Sequence, residues 1–176
     1  MKAKILYLLI CSLSLYLSCC SLLFPDEKLS MQREDFTGNE LRMDGYYYCQ
    51  KENVPDPTTS CIFMYRNGTI LSAYGHSTLD LDVVEKEIVD NYYNFGKDKW
   101  DWGVFIITNN RIEYEQWIVP SESISTRKST GNIENDTTFY ITEQYFSYNK
   151  KKYSVNEVWH FKHFVNKPDS TNNYIK

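Results

Sequence analysis

Short aromatic and β-branched runs, separated by two-residue turn signals, leave this chain few options beyond an antiparallel sheet. The clearest case is Cys61 to Arg66, then Asn67-Gly68, then Thr69 to Tyr74. Asn-Gly tolerates the positive φ angles of a type I′ turn, whose twist matches the strands it joins. A two-residue loop there sets Tyr65 opposite Ile70, Phe63 opposite Ser72 and Met64 opposite Leu71. Both faces of that hairpin are apolar, so both are expected to be covered.

Trp102 to Thr108, Asn109-Asn110 and Arg111 to Val119 form a second hairpin of the same kind. Strict alternation turns Gly103, Phe105, Ile107, Ile112, Tyr114, Gln116 and Ile118 inward, and Val104, Ile106, Arg111, Glu113 and Glu115 outward. Trp102 and Trp117 meet on the outward side and require a cover. Leu81, Val84, Ile88 and Tyr92 fall on one stripe at helical spacing. That stripe predicts a helix from Leu79 to Asn91 packed on the sheet, capped by Ser77 or Thr78.

The remaining segments read as strand. Gly45 to Cys49 is a first strand, and Gln50 to Ser60, with Pro55 and Pro57, is a loop. Ile133-Glu134, Asn135-Asp136 and Thr137 to Glu143 are a third tight hairpin. Ser121 to Thr130 reads as loop or edge strand. Glu157 to Phe164 is a last strand, with Trp159 and Phe161 on one face and His160 and Lys162 on the other. About eight strands in hairpin order with one inserted helix predict a mainly β chain. The two options are an antiparallel up-and-down barrel and a two-layer sandwich, and the barrel is preferred because closure leaves no exposed edge. The barrel domain spans 41–166, with a polar tail at 167–176.

The length of 176 residues fits one domain. A net charge of −4, with no basic run beyond Lys150-Lys151-Lys152, argues against nucleic acid as partner. Lys2 and Lys4, the apolar run Ile5 to Leu17 and the group Ser18-Cys19-Cys20 form an export leader. Residues 1–18 are expected to be removed, with Cys19 (alternatively Cys20) as the new first residue and 19–40 as a tether. The competing reading is a retained anchor, since Ile5 to Phe24 carries no charge.

Leu17-Ser18-Cys19-Cys20 resembles the lipobox of bacterial lipoproteins. With Gly45-Tyr46-Tyr47, Asn67-Gly68, the stretch from Gly131 to Phe139, His160-Phe161-Lys162 and the stretch from Lys167 to Thr171, the chain resembles lipocalin-like lipoproteins of Bacteroidetes. The resemblance implies a lipocalin-like barrel in the cell envelope, palmitate or a similar acyl group on the leading cysteine, and anchorage to the outer membrane outside the cytoplasm. Asp136-Thr137-Thr138 and Asp169-Ser170-Thr171 resemble the Asp-Ser/Thr-X sequon of that phylum, which makes Thr137 and Ser170 sugar acceptors.

Chemistry-bearing residues are few. Cys49 and Cys61 flank the first loop, and outside the cytoplasm such a pair is expected to form a disulfide, worth roughly 3 kcal/mol. His160 and His163 point to opposite faces, and His76 precedes the helix as a cap or an exposed side chain, so no metal is expected. Glu113 and Glu115 share a face like a glycosidase pair, but alternation turns them outward. No nucleophile elbow, phosphate loop or metalloprotease helix is present, so neither catalysis nor a cofactor is expected. Tyr47, Phe105 and Tyr114 are the expected contacts for a small ligand. The chain thus reads as a membrane-anchored extracytoplasmic lipoprotein, a binding or structural module whose partners are the membrane and a small ligand or envelope protein. The alternative is a carrier of an apolar or glycan ligand, unless Phe105, Ile107, Tyr114 and Phe139 plug the barrel.

Overall fold

The computed structural model describes residues 26–52, 54–120 and 123–176. The expected leader 1–18 and both lipidation cysteines, Cys19 and Cys20, lie outside the described residues. The strands are β1 (Gly45–Lys51), β2 (Thr58–Met64), β3 (Thr69–His76), β4 (Trp102–Thr108), β5 (Arg111–Ile118), β6 (Ser125–Asn135), β7 (Thr138–Phe146) and β8 (Lys151–His163). Each pairs with the next, and β8 returns to β1 through Tyr46↔Lys162 and Tyr47↔Phe161, closing an antiparallel eight-stranded barrel in up-and-down order. The sandwich is therefore excluded.

The β4–β5 turn follows expectation. Asn109 and Asn110 take φ of 51° and 61°, and Phe105 faces Tyr114. The β2–β3 turn does not. Gly68 sits at φ 77°, and Tyr65 N–H donates to the Thr69 carbonyl at 3.0 Å, so Arg66, Asn67 and Gly68 form a three-residue loop with a bulge. The register slips by one residue, pairing Met64 with Ile70 and Phe63 with Leu71. Asn67 Oδ1 fixes this geometry by accepting from Thr69 N–H at 3.2 Å and Thr69 Oγ1 at 2.7 Å. The third turn is also displaced by one, to Asp136-Thr137, and β6 absorbs Ser125 to Thr130.

Two apolar layers result. Inside the barrel lie Tyr47, Ile62, Met64, Ile70, Phe105, Ile112, Tyr114, Phe139, Ile141 and Trp159. Outside, α1 (Leu81–Asp90) lays Val84 and Ile88 on Cys61, Phe63, Leu71 and Ala73. Its cap is Asp80 and not Ser77 or Thr78: the Asp80 carboxylate accepts from Asp82 N–H at 2.9 Å. Glu85 holds the helix to the wall through Tyr46 Oη at 3.1 Å and Lys162 Nζ at 3.0 Å. The paired tryptophans are covered by Phe95, Trp100, Leu29 and Ile124. Their indole N–H groups donate to the Gly96 and Glu27 carbonyls, each at 2.8 Å.

The described part of the expected tether is built into the fold. Glu27 N–H donates to Ile124 O, and Phe36 N–H to Arg66 O, so the segment descends the outer wall from the β5–β6 loop to the β2–β3 turn. Midway, the buried carboxylate of Glu115 accepts from Ser30 N–H, Ser30 Oγ and Met31 N–H at 2.7, 3.0 and 2.7 Å. Phe36 and Leu41 then enter the interior cluster and close that end of the barrel. The 167–176 segment is pinned as well. Lys167 Nζ donates to Met43 O at 2.6 Å and Met64 O at 2.5 Å, and Tyr65 Oη donates to Pro168 O at 2.9 Å.

Candidate functional site

Opposite the closed end, the interior changes character. Lys51, Ser60, Ile62, Ser72, Gln116, Arg127, Glu157 and Trp159 line a cavity of about 240 Å³ at the barrel mouth. Gln116 and Arg127 are cross-strand partners on β5 and β6, and Arg127 in turn faces Phe146 on β7. The Glu157 carboxylate accepts from Gln144 Nε2 at 3.2 Å and pairs with Lys51 Nζ at 3.2 Å. Its own side chain is 12% exposed. Phe146 meets Tyr153 and Tyr148 edge-on, with ring centroids 5.5 and 5.7 Å apart, and both tyrosines are exposed at the rim.

Three polar atoms here reach no hydrogen-bonding partner among the described residues: Arg127 Nε, Trp159 Nε1 and Gln116 Oε1. Trp159 and Gln116 are only 4% and 6% exposed. Leaving one such buried group unpaired costs about 1–3 kcal/mol, so three around one cavity mark a surface built for something other than packing. Burial pushes the Tyr114 hydroxyl up to about 12, the Arg127 charge and the Ser129 hydroxyl pulling the other way.

Tyr47, Phe105 and Tyr114 all face the interior, but not the same part of it. Tyr47 Oη donates to Asp136 O at 2.9 Å, and Phe105 packs on Phe36 at 5.7 Å, so both are built into the closed end. Tyr114 stands next to the polar region, within the electrostatic reach of Arg127 and Glu157. The plug of Phe105, Tyr114 and Phe139 does fill the apolar half, with Phe139 stacked on Trp159 at 5.9 Å.

The expected Cys49–Cys61 disulfide is not formed; both are free, buried thiols. Cys49 pairs with Ser60, and Cys61 with Tyr48, so the two cysteines stand one residue out of register. A one-residue offset turns side chains to opposite faces, and Cys49 points into the barrel while Cys61 lies under α1. Thr137 and Ser170 are both half-buried, Thr137 in the β6–β7 turn and Ser170 in the irregular C-terminal segment. Thr137 Oγ1 donates to Asn135 Oδ1 at 2.7 Å, and Ser170 Oγ accepts from Asn67 Nδ2 at 3.3 Å.

Glu113 and Glu115 lie on the outer wall as expected. Glu113 pairs with Arg111 at 3.1 Å and Lys128 at 2.7 Å, and Glu115 is occupied by residues 30 and 31. His76 is buried, not exposed: its Nδ1 lies 2.6 Å from Glu87 Oε2, tying β3 to α1. No cluster of three or more metal-ligating side chains exists among the described residues.

Sequence reasoning did not single out Gln116, Arg127, Glu157 or Trp159 as a site. One signal was there: Gln116 is the single non-apolar, non-glycine member of the inward set on the second hairpin. Arg127 was hidden in a serine- and threonine-rich stretch with no visible alternation. Compared with protein-family models, curated proteins and solved structures, the chain matches none of them.

Proposed function

We propose that this chain is a lipid-tethered, extracytoplasmic binding module that holds a small polar ligand in the mouth of its barrel and does no chemistry on it. The observation that carries the reading is the mouth cavity, where a volume of about 240 Å³ is bordered by buried polar atoms that no described protein group satisfies. A ligand supplying the missing partners would recover the desolvation penalty those groups carry in the free protein. An apolar cargo has no equivalent room, because aromatic and aliphatic side chains fill the other half of the interior. The lone carboxylate lining the cavity, Glu157, is held by Lys51 and Gln144 as a structural anion, and Glu113 and Glu115 are committed on the outer wall.

The tether rests on the leader and on the resemblance of Leu17-Ser18-Cys19-Cys20 to a lipobox. On the same resemblance, Thr137 and Ser170 are the sites where sugar is added. Native mass spectrometry of the protein taken from its own membrane tests the whole reading. The expected spectrum shows an acylated chain carrying a small-molecule adduct that is lost in Gln116→Leu and Trp159→Phe. Thr137→Ala and Ser170→Ala would each lower the mass by a whole sugar beyond the change in the side chain itself, which is CH2O for threonine and one oxygen for serine. An adduct that survives both mouth variants would move the ligand elsewhere, and palmitate that enters a Cys19→Ser, Cys20→Ser chain would end the tether.

A further inference from the structure

The charge and shape of the mouth narrow the ligand class, on the reading just given. The cavity is lined by two cations, Lys51 and Arg127, and one carboxylate, Glu157, a local balance of +1 in a protein whose net charge is −4. Lys51 is already paired with Glu157. Arg127 makes no ion pair among the described residues, and its Nε has no acceptor. Close by, the indole N–H of Trp159 also lacks an acceptor. Two buried donors, one of them cationic, call for a ligand that brings acceptors and a negative charge. A guanidinium answers a carboxylate best, because two N–H groups match its two oxygens.

The rim adds a second requirement. Phe146, the cross-strand neighbour of Arg127, carries Tyr153 and Tyr148 edge-on beside it. Aromatic faces with exposed hydroxyls suit a compact body that has apolar C–H surface on one side and hydroxyls around its edge. A fatty acid would satisfy Arg127 but finds no apolar channel beyond it, since Phe139, Ile141 and Tyr114 close the interior. We propose that the mouth takes a carbohydrate bearing a carboxylate, a sugar acid, with the acid group on Arg127 and Trp159 Nε1 and the ring against Phe146 and Tyr153.

The test uses the full mature chain extracted from its membrane in detergent, with the indole N–H resonance of Trp159 as reporter, assigned by its loss in Trp159→Phe. D-glucuronate and D-galacturonate are titrated against D-glucose and D-galactose. The sugar acids should shift the Trp159 signal saturably and bind about tenfold to a hundredfold more tightly than their neutral counterparts. Arg127→Gln should erase that difference, and Arg127→Lys, which keeps the charge without the fork, should retain part of it. Equal affinity for acid and neutral sugars overturns the sugar-acid assignment while leaving a mouth ligand in place. A Trp159 signal that no sugar acid moves also overturns it, and the membrane-derived adduct then decides whether the mouth binds anything else.

Discussion

Glu115 offers a sharp test of how the N-terminal segment is held. Its carboxylate is 2% exposed and is the acceptor for two backbone N–H groups and one hydroxyl of residues 30 and 31. Hydrogen bonds to a charged acceptor contribute about 1.5–3 kcal/mol each, but they share one oxygen here and will not add fully. Replacing the side chain by alanine should therefore cost the closed segment about 3–4 kcal/mol. The loss is bounded because residues 28–35 can lift away and find water, leaving the barrel closed. Native-state hydrogen exchange is the assay. In Glu115→Ala, the Met31 amide should exchange about two to three orders of magnitude faster at near-neutral pH, since each 1.4 kcal/mol is a factor of ten. Amides of β7 and β8 should change little. Glu115→Gln keeps an acceptor without the charge and should fall between the two. An unchanged Met31 rate in Glu115→Ala, or a uniform acceleration over all strands, would refute a local latch.

Three further outcomes follow from the same geometry. Phe139, fully buried between Trp159 and Tyr47 with centroids at 5.9 and 5.1 Å, should lose about 3–5 kcal/mol of unfolding free energy on change to alanine, read by urea titration. Arg42, hydrogen-bonded to the Asp44 carboxylate at 2.6 Å, holds that carboxyl down at about 2, so the contact stabilises the fold above about pH 4 and is lost as pH falls through 2. In Arg42→Ala the Asp44 carboxyl should titrate near its ordinary value by carbon NMR. Burial pushes Cys49 up to about 11 and Cys61 up to about 12, so iodoacetamide should leave both untouched in the native protein. In denaturant both should react without prior reduction, and a mass showing them oxidised would contradict the register.

The β4–β5 hairpin was legible to the residue because Asn109 and Asn110 are both of the type that tolerates positive φ, which leaves one loop length. Asn67-Gly68 looked equally clear, yet only Gly68 takes the left-handed conformation, and the bulge it creates shifts the pairs from Met64↔Ile70 to Ile62↔Ser72 by one, until a second irregularity between Ile62 and Ser60 restores the register. Local turn chemistry allowed both loops; Asn67 bonding to Thr69 decided between them. That kind of slip also defeats the disulfide: flanking a loop brings two cysteines near each other, but only matching parity brings their sulfurs to one face. The covering of Trp117 was foreseen, though not its source in residues 27–29, because the holding contacts join positions 90 apart and leave no periodic trace. Half of the mouth was hidden for a related reason. Arg127 and Ser129 alternate inward on a strand whose one apolar residue, Ile133, lies at its far end, past a bulge.

The course of the N-terminal segment has an orientational consequence. It begins its descent at Glu27, beside Ile124, Trp117 and Thr126, which belong to the same rim as Arg127 and Phe146. Asp26 stands seven positions after Cys19, a span that can be no more than about 25 Å. An acyl chain on Cys19 would keep the opening turned toward the bilayer it is fastened to and the Phe36–Leu41 floor facing away. Solutes would then enter from the narrow gap between lipid headgroups and protein, where diffusion is confined and large polymers are kept out.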